Sequence, residues 1–125
     1  MQRYLLIAIG GAAGAILRYW VGVASAQRYG ARFPFGTLMV NITACFIIGL
    51  VMEYLGRHTG LSAAWRYLIP IGFIGAYSTF STFEYETWAA LTRGAYWTAL
   101  VYVSVSLVGG FLAVALGVGA GRVLP

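Results

Sequence analysis

Apolar residues fill this sequence in four long stretches, about 4–24, 36–55, 65–91 and 97–119, separated by short segments that hold Gly, Pro and Arg. A bilayer core needs about 20 apolar residues per helix, so the pattern predicts an all-α membrane protein with four spans and a single domain, 1–125. The first loop carries Gln27-Arg28-Tyr29-Gly30 and Arg32 and then Pro34, which ends one helix and opens the next. The second loop, Gly56-Arg57-His58-Thr59-Gly60, is polar, with Ser62 placed to cap span three and His58 expected in solvent. Arg93-Gly94 makes a minimal third loop. Tyr19, Trp20, Trp65, Tyr96 and Trp97 fall near span ends, as in an interfacial aromatic belt. The first apolar stretch is too long for a removable leader and lacks a small-residue cleavage site before a soluble body, so it is expected to be retained.

The third stretch differs from the others. Pro70 lacks a backbone donor, and Gly72 and Gly75 weaken the helix around it. The run Gly75-Ala76-Tyr77-Ser78-Thr79-Phe80-Ser81-Thr82-Phe83 then places four Ser/Thr hydroxyls within nine residues. Irregular backbone at membrane depth is tolerated only inside protein or along a cavity, so the segment from Gly72 to Phe83 is expected to carry the function. Carbonyls freed by such a break suit a hard cation such as Na⁺. A Pro/Gly kink with hydroxyls bonded back to the helix would account for one or two of the hydroxyls. Phe80 and Phe83 are three apart and share a helix face, with Ser81 and Thr82 between them. An aromatic edge is electropositive, so such a pair either packs in a core or favours a small anion that a full cation would bind too tightly.

Composition agrees with lipid as the main solvent: 61% of residues are hydrophobic and 9% charged, against about 25% charged in soluble domains. Cys45 is the single cysteine, which excludes an internal disulfide framework. All eight basic residues are arginines, scattered singly, so the net charge of +5 does not mark a nucleic-acid surface. Four spans put both termini on one side. Arg3, Arg57, Arg66 and Arg122 then lie on that side, and Arg18, Arg28, Arg32 and Arg93 on the other. Orientation normally follows an excess of basic residues on cytoplasmic loops. Without one, either a single loop or translation order decides, or the protein inserts both ways and assembles as an antiparallel pair. The small chain, which alone encloses little interior, favours the pair.

Other polar positions are fewer. Span two carries Thr37, Asn41, Cys45 and Gly49 as one stripe at four-residue spacing. Asn41 is an amide deep in lipid; it serves either as a donor for an anion or as a helix-to-helix hydrogen bond. Span four carries Tyr102, Ser106 and Gly110 on a similar stripe. Arg18 either snorkels to headgroups or makes an electropositive vestibule. Glu86 shares a face with Thr79, Thr82 and Phe83; near a span end, it and Glu53 read most simply as solvated carboxylates. Gly10, Gly14, Arg18 and Gly22 in span one, and Gly109, Ala113, Gly117 and Gly121 in span four, make stripes that permit close helix approach within a protomer or between protomers. No phosphate loop, metal-spaced cluster or nucleophile with a base is present, so an enzyme is not expected.

Three segments resemble the signatures of the Fluc (CrcB-type) fluoride channel family, in order and spacing along the whole chain: Gly10-Gly11-Ala12-Ala13-Gly14-Ala15-Ile16-Leu17-Arg18-Tyr19, Pro34-Phe35-Gly36-Thr37-Leu38-Met39-Val40-Asn41 and Gly72-Phe73-Ile74-Gly75-Ala76-Tyr77-Ser78-Thr79-Phe80-Ser81-Thr82-Phe83. The resemblance implies an antiparallel, dual-topology homodimer in the bacterial cytoplasmic (inner) membrane, passing F⁻ passively out of the cell. It also implies a structural Na⁺ at the dimer centre, held by backbone carbonyls at the positions of Gly75 and Ser78. Asn41, Phe80, Ser81, Thr82 and Phe83 match the fluoride path. Tyr102 and Ser106 are similar to pore-facing positions, Arg18 to a vestibule arginine and Glu86 to an acidic position just beyond the third signature. The family often has Gly-Gly in place of Gly75-Ala76, Thr in place of Ser78 and a small polar residue in place of Glu84; carbonyl ligation needs none of these side chains. A small multidrug transporter shares size, span count and dual topology but needs a membrane-embedded carboxylate, and span one has no acid. A scaffolding subunit without transport would leave the span-three hydroxyls unexplained.

Overall fold

Residues Met1–Pro125 are all described by the computed structural model, which is helical throughout. Helix α1 spans Gln2–Tyr29 and α2 spans Phe35–Arg57. A third column follows in pieces: a turn α3 (Ala64–Arg66), a π-helical segment Tyr67–Ile74, a turn α4 (Gly75–Tyr77) and helix α5 (Phe80–Thr92). Helix α6 (Tyr96–Val123) closes the chain. By length and apolar composition α1, α2 and α6 can each cross a membrane. The third column is excluded from that set by its interruptions.

The first helix ends later than the sequence suggests. Helix α1 runs on through Gln27, Arg28 and Tyr29, and Gly30 stops it at φ 74, where its amide still reaches the Ala26 carbonyl at 2.9 Å. Gly94, also at φ 74, makes the tight turn into α6; both positions need the left-handed region that glycine adopts without strain. Ser62 accepts the Ala64 amide at 3.2 Å, as a cap for the third column should.

Inside that column, irregularity begins earlier than the glycines suggest and leaves helical geometry over only two residues. Pro70 cannot donate, and its ring crowds the preceding turn. The chain accommodates it by widening into a π-helix from Tyr67, with the Gly75 amide shared between the Gly72 and Pro70 carbonyls. The backbone then becomes extended at Ser78 (φ −72, ψ 158) and Thr79 (φ −151, ψ 109). Phe80 resumes a helix, so Phe80 to Phe83 are helical and only Ser78 and Thr79 are not.

Most of both glycine stripes packs within the protomer, Gly22 being the exception, since a Cβ there would meet nothing. A Cβ at Gly10 or Gly14 would strike the backbone of Leu68 or Phe73, and one at Gly72 would lie 2.9 Å from the Ile7 carbonyl, so α1 lies directly on the π-helical segment. A Cβ at Gly117 would strike the Phe46 carbonyl, and one at Gly49 the Val114 backbone, which locks α2 against α6. Val40, Ala44, Ile74 and Tyr77 form the buried core where α2 meets the broken column.

At the terminal end, the ionic side chains are committed to the fold. Arg122 pairs with Glu53 at 3.2 Å, Arg57 donates to the Gly121 and Arg122 carbonyls, and Arg66 donates to the Leu55 carbonyl at 3.4 Å. His58 stacks on Tyr54 at 4.1 Å between centroids and lies 2.8 Å from its carbonyl, so it is a partly buried end to α2 rather than the free solvent group expected.

Candidate functional site

Extended residues inside a helical column leave polar backbone atoms that must be satisfied from elsewhere. Asn41 on α2 supplies both needs of Thr79: its Oδ1 accepts the Thr79 amide at 2.8 Å, and its Nδ2 donates to the Thr79 carbonyl at 3.1 Å. In an unbroken helix the Thr79 amide would bond the Gly75 carbonyl, and the Thr82 amide the Ser78 carbonyl. Here the first goes to Asn41 and the second to Thr79 Oγ1, at 3.3 Å. The carbonyls of Gly75 and Ser78 thereby lose their helical donors. Gly75 is exposed, and the one neighbour its missing Cβ would meet is the Pro70 carbonyl, at 3.8 Å. No group of three His, Cys, Asp or Glu side chains stands together anywhere in the chain. The two freed carbonyls are oxygen donors of the kind that suits a hard cation.

Downstream of the break, Thr79 donates its hydroxyl proton to Thr82 Oγ1 at 2.9 Å, which leaves the Thr82 proton free. Thr79, Thr82, Arg18, Thr37 and Glu86 line one cavity of about 470 Å³. A second, of about 300 Å³, is lined by Arg32, Phe33, Arg93 and Tyr102 and again by Thr37 and Glu86. The wall between them is a hydrogen-bonded triad: Glu86 accepts the Thr37 hydroxyl at 2.9 Å on one oxygen and the Tyr102 hydroxyl at 2.7 Å on the other. Glu86 is thus a fixed acceptor tying the broken column to α2 and α6, and not the simply solvated carboxylate that its place near a helix end suggests. Arg18, Arg32 and Arg93 have no carboxylate partner, since Arg122 with Glu53 is the only ion pair.

The aromatic pair read from the sequence is the start of a longer row. The Phe80 and Phe83 rings lie 5.9 Å apart at 40°, Phe83 and Tyr102 5.0 Å apart at 60°, and Tyr102 and Phe33 5.7 Å apart at 77°. Along the row, Phe83 and Tyr102 are buried while Phe80 is 71% exposed. Tilted and edge-on contacts direct ring edges sideways along the row.

The structure therefore brings Arg18, Thr79, Thr82 and Glu86 to one cavity and Tyr102 to the next, with Asn41 behind the break and Phe83 between Phe80 and Tyr102. Phe80 and Ser81 lie on the protomer surface, and Gly75 is exposed. On α6, four residues beyond Tyr102, Ser106 has a buried hydroxyl with no partner. Sequence reading missed Thr37 as a site residue, although it begins the polar stripe that leads to Asn41. It also missed Phe33, which sits in a loop and carries no periodic signal.

The family model described as "CrcB-like protein, Camphor Resistance (CrcB)" matches residues 5–118 of the chain. A fluoride-specific ion channel FluC of Acidobacterium capsulatum is 55% identical over 121 residues, covering 97% of each chain. Proteins of the same description from Solibacter usitatus and Chloroflexus aurantiacus are 46% and 42% identical, the first over 93% of this chain and 95% of its own, the second over 98% and 97%.

Proposed function

As the chain belongs to the CrcB-like family, a family of bacterial multi-pass membrane channels rather than enzymes, we propose that it is a fluoride-specific ion channel through which F⁻ leaves the cytoplasm passively. The observation that carries this reading is the break at Ser78 and Thr79, held open beside unspent hydrogen-bond donors and an aromatic row. Fluoride is small and a strong acceptor, so a path that replaces its hydration needs compact donors at close range. The second Asn41 N–H, the free Thr82 proton and the hydroxyls of Ser81 and Ser106 supply them, and the edges of Phe80 and Phe83 add a weak positive potential. Arg18 draws anions to the cavity that Thr79 and Thr82 line.

In this reading the broken column is the third of four spans, over about 65–91, and the working unit is an antiparallel homodimer in the inner membrane. Gly75 and Phe80 lie on the protomer surface, so a second copy is what would enclose them, and the even division of arginines between the two sides supports dual insertion. One Na⁺ at the dimer centre would be held by the carbonyls of Gly75 and Ser78. Bound there, it supplies a fixed positive charge close to the anion path.

Purified protein in liposomes loaded with fluoride should release it to a fluoride electrode, with no comparable release of Cl⁻ from chloride-loaded vesicles; equal passage of the two anions would sink the selectivity. Cysteine cross-linking in membranes should join antiparallel neighbours, and cross-links between parallel neighbours alone would refute the dimer proposed here.

A further inference from the structure

The break is tied to α2 at a second point that the ion path does not use. Tyr77, the last residue before the extended pair, is 5% exposed and stacks on Phe73 at 5.6 Å and 13°. Its hydroxyl lies 2.9 Å from Thr43 Oγ1. Thr43 Oγ1 also lies 2.7 Å from the Met39 carbonyl and 3.1 Å from the Val40 carbonyl. Carbonyls only accept, so with the single Thr43 proton on one of them Tyr77 is the donor in the remaining contact and Thr43 the acceptor. The bond joins the broken column to α2.

Two ties now bracket the break. Asn41 holds Thr79 at its far end and Thr43 holds Tyr77 just before it. The partners step by two along α2 and by two, in the opposite sense, along the broken column, so the pairs match an antiparallel crossing. Ser78 lies between the tied residues, and Gly75 is the first residue of the turn that Tyr77 ends. Asn41 alone would leave that turn free to rotate about its far end. Tyr77, clamped by its ring stack and its hydroxyl, removes that freedom.

We propose that Thr43 and Tyr77 are positioning residues which set the separation and aim of the Gly75 and Ser78 carbonyls, and so determine how tightly the break holds Na⁺. This rests on the sodium reading above. Neither side chain is among the residues assigned above to the sodium site or the fluoride path.

The test is the melting temperature of the purified protein in detergent as Na⁺ replaces choline, a cation too large for the break. The parent chain should be stabilised by Na⁺, since a ligand that binds only the folded state raises its stability. Tyr77→Phe keeps the ring and loses only the hydroxyl, and Thr43→Val keeps the branched shape and loses the hydroxyl that Tyr77 meets. Each should need roughly threefold to tenfold more Na⁺ for half of the stabilisation, the worth of one ordinary hydrogen bond. Thr43→Ser, which keeps the acceptor, should match the parent. In liposomes at saturating Na⁺ all three should keep the preference for F⁻ over Cl⁻. A lower melting temperature in choline with an unchanged half-saturating Na⁺ would make the pair mere packing and overturn the proposal. A parent chain indifferent to Na⁺ would remove the sodium reading itself, and this role of the tie with it. If Tyr77→Phe does not fold, Thr43→Val carries the same comparison.

Discussion

Replacing Asn41 by leucine should reduce fluoride flux at least tenfold and up to about a hundredfold. Leucine fills a similar volume but satisfies neither the amide nor the carbonyl of Thr79, both of which Asn41 now bonds. A buried backbone group left without its partner costs about 1–3 kcal/mol, and about 1.4 kcal/mol corresponds to a factor of ten. Two orphaned groups give the break reason to collapse toward helix and return the Thr79 amide to Gly75. Collapse would remove the freed carbonyl and displace Thr79 and Thr82 from their cavity at once. Flux from liposomes checks this, with the melting temperature measured beside it to separate a closed path from an unfolded chain. Flux within twofold of the parent, in a folded protein, would mean that Asn41 does not hold the path open.

Phe80→Ile is the cleaner probe of the anion path itself. Phe80 is 71% exposed in the protomer, so the substitution removes little from the core, and isoleucine is as apolar as phenylalanine. What it lacks is a ring edge. Aromatic edge contacts are worth about 0.5–1.5 kcal/mol, so fluoride flux should fall up to about tenfold while the melting temperature of the isolated protein hardly moves. The initial rate at a fluoride electrode gives the result. An unchanged rate would assign Phe80 to packing against its surroundings and leave the path to hydroxyls alone. Phe83 cannot serve in its place, because it is 6% exposed and packs on Tyr102, so replacing it would disturb α6 as well.

The helical columns and the existence of the break were legible in the sequence because each has a local cause. Long apolar stretches make membrane-length helices, and Pro70 with Gly72 and Gly75 cannot sustain a regular one. The extent of the break was less legible. A run of hydroxyls from Ser78 to Thr82 reads as one irregular segment, yet Thr79 caps a new helix with its own side chain, and everything from Phe80 onward is regular. The π-helical turns from Tyr67 have no signature beyond Pro70, since the widening depends on how α1 packs against them. Glu86 was misread for a related reason. Its partners Thr37 and Tyr102 lie on other helices, and only the rotation of α2 and α6 about their axes brings those hydroxyls to its two oxygens. The same rotation places Thr43 on Tyr77. Periodicity identifies which face of a helix a residue occupies, but not which face of a neighbour it meets.

The bond between Asn41 and Thr79 also bears on the order in which the chain is made. The two residues are 38 apart, and Asn41 comes first. A broken helix delivered alone into hydrocarbon would present bare peptide groups to lipid, at several kcal/mol each. Because α2 precedes the break in the chain, the amide that satisfies it leaves the ribosome earlier and can be waiting in the bilayer when Ser78 and Thr79 arrive. A circularly permuted chain beginning at α3 would keep the contacts between helices described here and lose that timing.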